Sequence, residues 1–229
     1  MTTLDPPSIR LAVLDMAGTT VRDDGLVTTA FLAALDHIGI PADDPAVPGH
    51  LAYVQETMGQ SKIVVFRGLL GDEDRAQAAT AAFEAAVADS IRAGGIEPID
   101  GAETAFAAMR EAGIAICLTT GFSAPTQALI VETLGWSGLV DLTRAPGPGM
   151  RGRPYPDLAL AALMQLEIDD VRSIAVAGDT ANDLLAGWRA GAGVVAGVLT
   201  GAHGRAELEA APHTHVLDSI ADFPAALDL

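Results

Sequence analysis

The chain has one cysteine, Cys117, and one lysine, Lys62, in 229 residues. A single cysteine excludes an intramolecular disulfide and fits a reducing compartment. Its position within an apolar run reads as a small buried hydrophobe. Cations are scarce throughout, with 13 Lys and Arg against 30 Asp and Glu and a formal charge of −17. Nucleic-acid binding needs a basic footprint, so that class is excluded. Net charge would also repel an anionic ligand, which must then be held by local groups: a metal, an arginine or helix N-termini. No apolar run reaches the length of a membrane span, and the first seven residues lack the pattern of a secretory signal. The expectation is a cytoplasmic protein with no membrane partner.

What is present is a large supply of core, since half of the residues are hydrophobic. Residues 9–14 read as a short buried strand that delivers Asp15 to a turn at Gly18-Thr19-Thr20. Residues 24–98 then hold no convincing strand. Ala-rich amphipathic stretches over 28–38, 52–70 and 73–93 predict three helical segments, separated by Gly- and Pro-containing breaks. After Pro98, strands at 114–118, 139–143, 173–177 and 193–199 alternate with helices at 102–112, 124–134, 157–166 and 182–190. Residues 215–217 form a last edge strand. The pattern predicts an α/β fold, a Rossmann-like parallel sheet over residues 1–21 and 99–229. A helical cap over residues 22–98 is inserted after the first strand.

Three of these strands end in polar residues: Asp15, Thr120 and Asp179. Parallel neighbours would bring all three to one sheet edge, where open α/β folds bind ligands. Asp183 follows Asp179 by one helical turn, and Arg153 lies in the Pro/Gly-rich loop between the second and fourth of these strands. Carboxylates and backbone oxygens suit a hard cation such as Mg²⁺, while a hydroxyl and a guanidinium suit a phosphoryl group. Thr119 is the alternative to Thr120, and Arg151 the alternative to Arg153. Asp179 and Asp183 could also serve as a helix N-cap and a surface charge.

The ordered set Asp15-x-Ala17-Gly18-Thr19-Thr20, Leu118-Thr119-Thr120-Gly121, Gly152-Arg153-Pro154-x-Pro156 and Gly178-Asp179-Thr180-x-x-Asp183 resembles the haloacid-dehalogenase superfamily, and within it the phosphonatase branch. The resemblance implies Asp15 as the nucleophile and a Mg²⁺ ligand, with Asp179 and the Ala17 carbonyl completing the protein's share of the metal site. It implies Thr120, the Gly121 amide and Arg153 on the phosphoryl oxygens. Asp183 would stand behind the ligands or orient their loop, and Thr19 and Met58 would line the substrate. Most superfamily members carry a second aspartate where this chain has Ala17.

Met58-Gly59-Gln60-Ser61-Lys62 resembles the cap motif of phosphonatases, whose lysine forms a Schiff base with an aldehyde substrate. Cleavage of a phosphorus–carbon bond beside a protonated imine leaves an enamine, so no proton donor is needed at position 17. An ester's departing alkoxide would need one. Twelve arginines elsewhere cannot replace this amine, because a guanidinium stays protonated. The chain departs from the branch at Val65, three residues after Lys62, where phosphonatases carry a histidine, and in lacking a cysteine soon after the nucleophile loop. Lys62 could also be an ordinary exposed helix lysine, and Met58 a core residue. The expected activity is Mg²⁺-dependent cleavage of a small 2-oxo-alkylphosphonate, in a protein that could pair with a second copy through its cap. A phosphatase or phosphotransferase acting on a phosphate monoester and a non-catalytic binder of a phosphorylated metabolite are the other two readings.

Overall fold

The computed structural model describes residues 8–229. Six parallel strands run through it: β1 (Leu11–Asp15), β2 (Ala115–Thr119), β3 (Leu142–Arg144), β4 (Ile174–Gly178), β5 (Val194–Val198) and β6 (His215–Leu217). Their order across the sheet is β3-β2-β1-β4-β5-β6, so β1 lies in the middle, between β2 and β4.

The two faces of β1 show why this segment is a strand. Ala12 and Leu14 point into one buried cluster with Phe106, Met109 and Trp136, whereas Leu11 and Val13 point into a second with Ala159, Ala162 and Leu163. Period-two burial on both faces is what a central parallel strand requires. The first cluster contains α5 (Ala102–Glu111) and α6 (Ala124–Thr133), and the second contains α7 (Asp157–Gln165). Cys117 is fully buried in the second cluster, and burial pushes its thiol up to about 12, so it packs as a hydrophobe.

Between β1 and α5 the chain forms four helices rather than three: α1 (Leu26–His37), α2 (Val47–Glu56), α3 (Lys62–Leu70) and α4 (Glu73–Arg92). The expected helical stretch over 52–70 is broken at residues 57–61. Gly59 there has φ +84°, and the Asn182 side-chain amide donates to the Met58 carbonyl at 2.7 Å. This correction matters because the break is the part of the insert that reaches the sheet edge. Pro48, expected to lie in a separator, sits in the first turn of α2, where its missing N–H is harmless. The two connections to the insert run antiparallel, with Arg22 N–H donating to Glu97 O and Ile99 N–H to Thr20 O, each at 2.9 Å.

Beyond β4, the chain forms α8 (Ala181–Ala190), and a short helix not expected from the sequence, α9 (Arg205–Ala210). Among the described residues no helix is long and apolar enough to cross a membrane.

Candidate active site

The middle strands end side by side, so Asp15, Thr119-Thr120 and Asp179 meet at one edge of the sheet. Their side chains do different things there. Thr119 turns away and donates to the Leu14 carbonyl, while Thr120 lines the cavity above Asp15 and accepts the Phe122 N–H at 3.1 Å. The cavity is also lined by Ala17, Met58, Gly59, Lys62, Gly121, Arg153 and Asp179. Neither Asp183 nor Thr19 lines it, although Asp183 is ion-paired to Arg153, which does. Thr19 is fully buried and donates instead to Asp179 Oδ1 at 3.4 Å, which makes it a support for that carboxylate rather than a cavity residue.

Arg153 is 6% exposed and ion-paired to both Asp15 and Asp183. Arg151 is turned outward, clasped by Asp157 with its guanidinium over the Tyr155 ring. Asp183 has its other oxygen engaged by Thr180 in a reciprocal cap at the start of α8. Both its oxygens are therefore used by protein, and its geometry is that of a brace between Arg153 and the Asp179 loop. Asp179 Oδ2 accepts the Ala202 N–H at 2.7 Å.

The charges do not balance by themselves. Ligand oxygens of Asp15, Asp179 and Asp183 lie within 4.8 Å of one another, all buried. Burial pushes Asp15 up to about 6 against the pull of Arg153, with Asp183 adding to the rise. Burial, and then Asp15 and Asp183, hold Asp179 well above the usual carboxylate range. The Arg153 guanidinium, even with the Lys62 ammonium in the same cavity, does not offset three carboxylates out of water. An oxygen-lined, under-neutralised cluster of this kind fits a hard divalent cation, with Asp15 and Asp179, the two of the three that line the cavity, placed to hold it.

Lys62 opens α3 and is 7% exposed, so it is not a surface lysine. Its Nζ lies 5.5 Å from the Phe83 ring centroid and 5.6 Å from that of Phe122. Burial, followed by the Arg153 charge, lowers its pKa to about 8, with Asp23, Asp15 and Glu84 opposing. Val65 is buried in the insert's apolar core beside Phe66. The 57–61 loop approaches the sheet closely: a Cβ on Gly59 would lie 2.6 Å from Thr180 Oγ1, and one on Gly121 would lie 2.5 Å from the Gln60 carbonyl oxygen. Only glycine fits at either position without a shift. The space enclosed is ≈ 30 Å³, roughly one water molecule.

Sequence reading missed Asp23, Phe83 and Phe122. Asp23 lines the cavity and accepts the Val27 N–H at 2.9 Å, so it caps the first turn of α1 from within the site. Phe122 follows Gly121 directly and could have been suspected. Phe83 is an apolar position on α4 with no local signal.

A six-stranded parallel sheet with a buried acidic cluster at its central strand ends defines a class, and the family comparison names it. The chain belongs to the haloacid dehalogenase-like hydrolase family, whose model matches residues 9–191. It is phosphonatase-like within that family. It is 30% identical over 205 residues to phosphonoacetaldehyde hydrolase of Pseudomonas aeruginosa, covering 83% of this chain and 73% of that protein. The match to the Bacillus cereus protein of the same name is 33% over 105 residues and covers 39% of it. It is also 24% identical over 217 residues to probable phosphatase IndB of Dickeya dadantii, covering 93% of this chain and 90% of that protein. Among solved structures, a phosphonoacetaldehyde hydrolase-like protein from Oleispira antarctica superposes over the whole chain and 95% of its own, with TM-score 0.84 and 21% identity.

Proposed function

We propose that this hydrolase cleaves the carbon–phosphorus bond of a small 2-oxo-alkylphosphonate. The observation that carries the reading is Lys62: the sole lysine is buried in the same cavity as Asp15 and Arg153, with its pKa lowered to about 8. Its amine adds to the substrate carbonyl, and loss of water gives a protonated imine. A carboxylate oxygen of Asp15 attacks phosphorus as the C–P bond breaks. The bond's electron pair forms a carbon–carbon double bond, and the imine's π electrons move to nitrogen, giving an enamine on Lys62. Water then cleaves the aspartyl phosphate, releasing phosphate and restoring Asp15. The enamine takes a proton at carbon, and a second water frees the aldehyde or ketone from Lys62.

The surrounding groups support this division of labour. Arg153, Thr120 and the Gly121 amide line the space that non-bridging oxygens would take. A divalent cation at Asp15, Asp179 and the Ala17 carbonyl would supply the remaining charge on the phosphonate oxygens. Proton transfers to and from the imine fall to Asp23, since Val65 has no proton to give. Residues 22–98 act as a cap that swings on its paired connections, because a cavity of ≈ 30 Å³ cannot admit a phosphonate. A cytoplasmic setting fits a chain whose single cysteine, Cys117, is free and buried.

Incubation with phosphonoacetaldehyde, borohydride reduction and mass measurement tests the reading. A reduced adduct mapped to Lys62, together with phosphate release, is expected. Phosphate release that survives Lys62→Arg with no adduct formed would overturn it. The second reading, a phosphate monoester hydrolase, draws on the relative named probable phosphatase, which aligns over 90% of its length. Monoester turnover unaffected by Lys62→Arg would favour it.

A further inference from the structure

Glu84 takes no part in the steps above, yet it makes the most heavily bonded contact between the insert and the sheet's helices. From α4 its carboxylate accepts the Ser123 N–H at 2.9 Å, the Ser123 hydroxyl at 2.7 Å and the Thr126 hydroxyl. All three donors belong to the start of α6, where Ser123 is the N-cap. A helix N-terminus favours an anion, and charge-assisted bonds of this kind are stronger than neutral ones.

The neighbours of these residues give the contact its meaning. Phe83 precedes Glu84 and Phe122 precedes Ser123, and the two rings stack with centroids 6.0 Å apart. They are the same two rings that flank the Lys62 amine. Phe83 is also held from behind: Phe31 stacks on Phe66 at 4.7 Å, and Phe66 meets Phe83 edge-on at 6.2 Å. Four of the chain's six phenylalanines thus form one row from α1 to the site.

We infer that Glu84 is a positioning residue: its bonds to Ser123 and Thr126 latch the closed insert and hold the Phe83–Phe122 box around Lys62. The inference deepens the role given to Lys62 above and rests on it. The charged groups that act on this amine are Arg153, Asp23, Asp15 and Glu84, but burial outweighs them all. Two consequences of losing Glu84 therefore oppose each other in sign. Loss of its charge alone would lower the Lys62 pKa further, whereas an opened box would let water in and raise it.

Reductive methylation with formaldehyde and cyanoborohydride reads this out without turnover. The N-terminal amine serves as internal reference, and the only lysine is followed by peptide mass between about pH 6 and pH 11. In the wild type, labelling of Lys62 is expected to be slow, with a midpoint near 8. Glu84→Ala should move the midpoint toward 10.5 and raise the limiting rate about ten-fold. Glu84→Gln, which keeps an acceptor for the Ser123 N–H, should restore most of the protection. Should Glu84→Ala fail to fold, Ser123→Ala removes one arm of the latch from the other side, and a smaller upward shift is expected. A midpoint that stays or falls in a folded variant overturns the latch. If wild-type Lys62 forms the phosphonate adduct while a folded Glu84→Ala labels as wild type, only the latch fails. If the variant labels faster while no oxo-phosphonate adduct forms, only the imine reading fails.

Discussion

Replacing Lys62 by methionine should make the protein more stable at neutral pH while abolishing imine formation. The ammonium is 7% exposed, and its pKa falls from 10.5 to about 8 on folding, chiefly through burial. That difference corresponds to about 3 kcal/mol. Because the folded pKa lies below the unfolded one, the ammonium is charged in both states below about pH 8, and folding there bears the whole penalty. Between about 8 and 10.5 only the unfolded chain still holds the proton, so wild-type stability climbs with pH. Methionine has similar length and no charge, so its variant lacks this climb. Urea unfolding, followed by fluorescence of the fully buried Trp136, measures both proteins. Chelator keeps metal linkage out of the comparison. The variant should be about 3 kcal/mol more stable at pH 7, and the gap should close by about pH 10.5. A variant equal to or weaker than wild type at pH 7, or a gap independent of pH, would refute the reasoning. The same shift raises the free-amine fraction at neutral pH about 300-fold, which is the return on a less stable fold.

Gly59→Ala should displace the 57–61 loop, because its Cβ would stand 2.6 Å from Thr180 Oγ1 and its φ is +84°. A loss of roughly 1–3 kcal/mol in stability is expected, with a fall of about ten-fold or more in kcat/KM; unchanged kinetics would mean that the loop does not seat during turnover. Chelation should stop phosphate release yet leave the borohydride-trapped Lys62 adduct, since the amine and the carboxylate cluster serve different steps. Loss of both, or of neither, would contradict that separation. Asp23→Asn should slow adduct formation about 100-fold while leaving urea stability within about 1 kcal/mol, because asparagine can still cap α1; trapping at the wild-type rate would remove Asp23 from the proton path.

Sheet and flanking helices were legible because their burial repeats at two and at about 3.6 residues, which sequence shows directly. The break at 57–61 was not, since residues 52–70 hold two glycines, Gly59 and Gly68, and the sequence does not say that the helix stops at the first and runs through the second. The backbone turns there because Asn182 takes the Met58 carbonyl and Thr180 leaves room only for hydrogen. Thr19 was misplaced for a similar reason: its position in the motif puts it near the substrate, whereas its hydroxyl faces Asp179. Asp23, Phe83 and Glu84 carry no local signature, because each matters only through a partner distant in the chain.

The chain alone determined the chemistry on offer. An acid at a strand end, a methyl where a proton donor could be, one amine and a guanidinium are matters of residue identity. Tertiary structure decided what those groups experience. Burial lowered Lys62 to about 8, left three carboxylates only partly offset by Arg153 and that amine, and engaged Asp183 as a brace. Desolvation and close approach are properties of neighbours in space, and four helices folded over a sheet edge put them there.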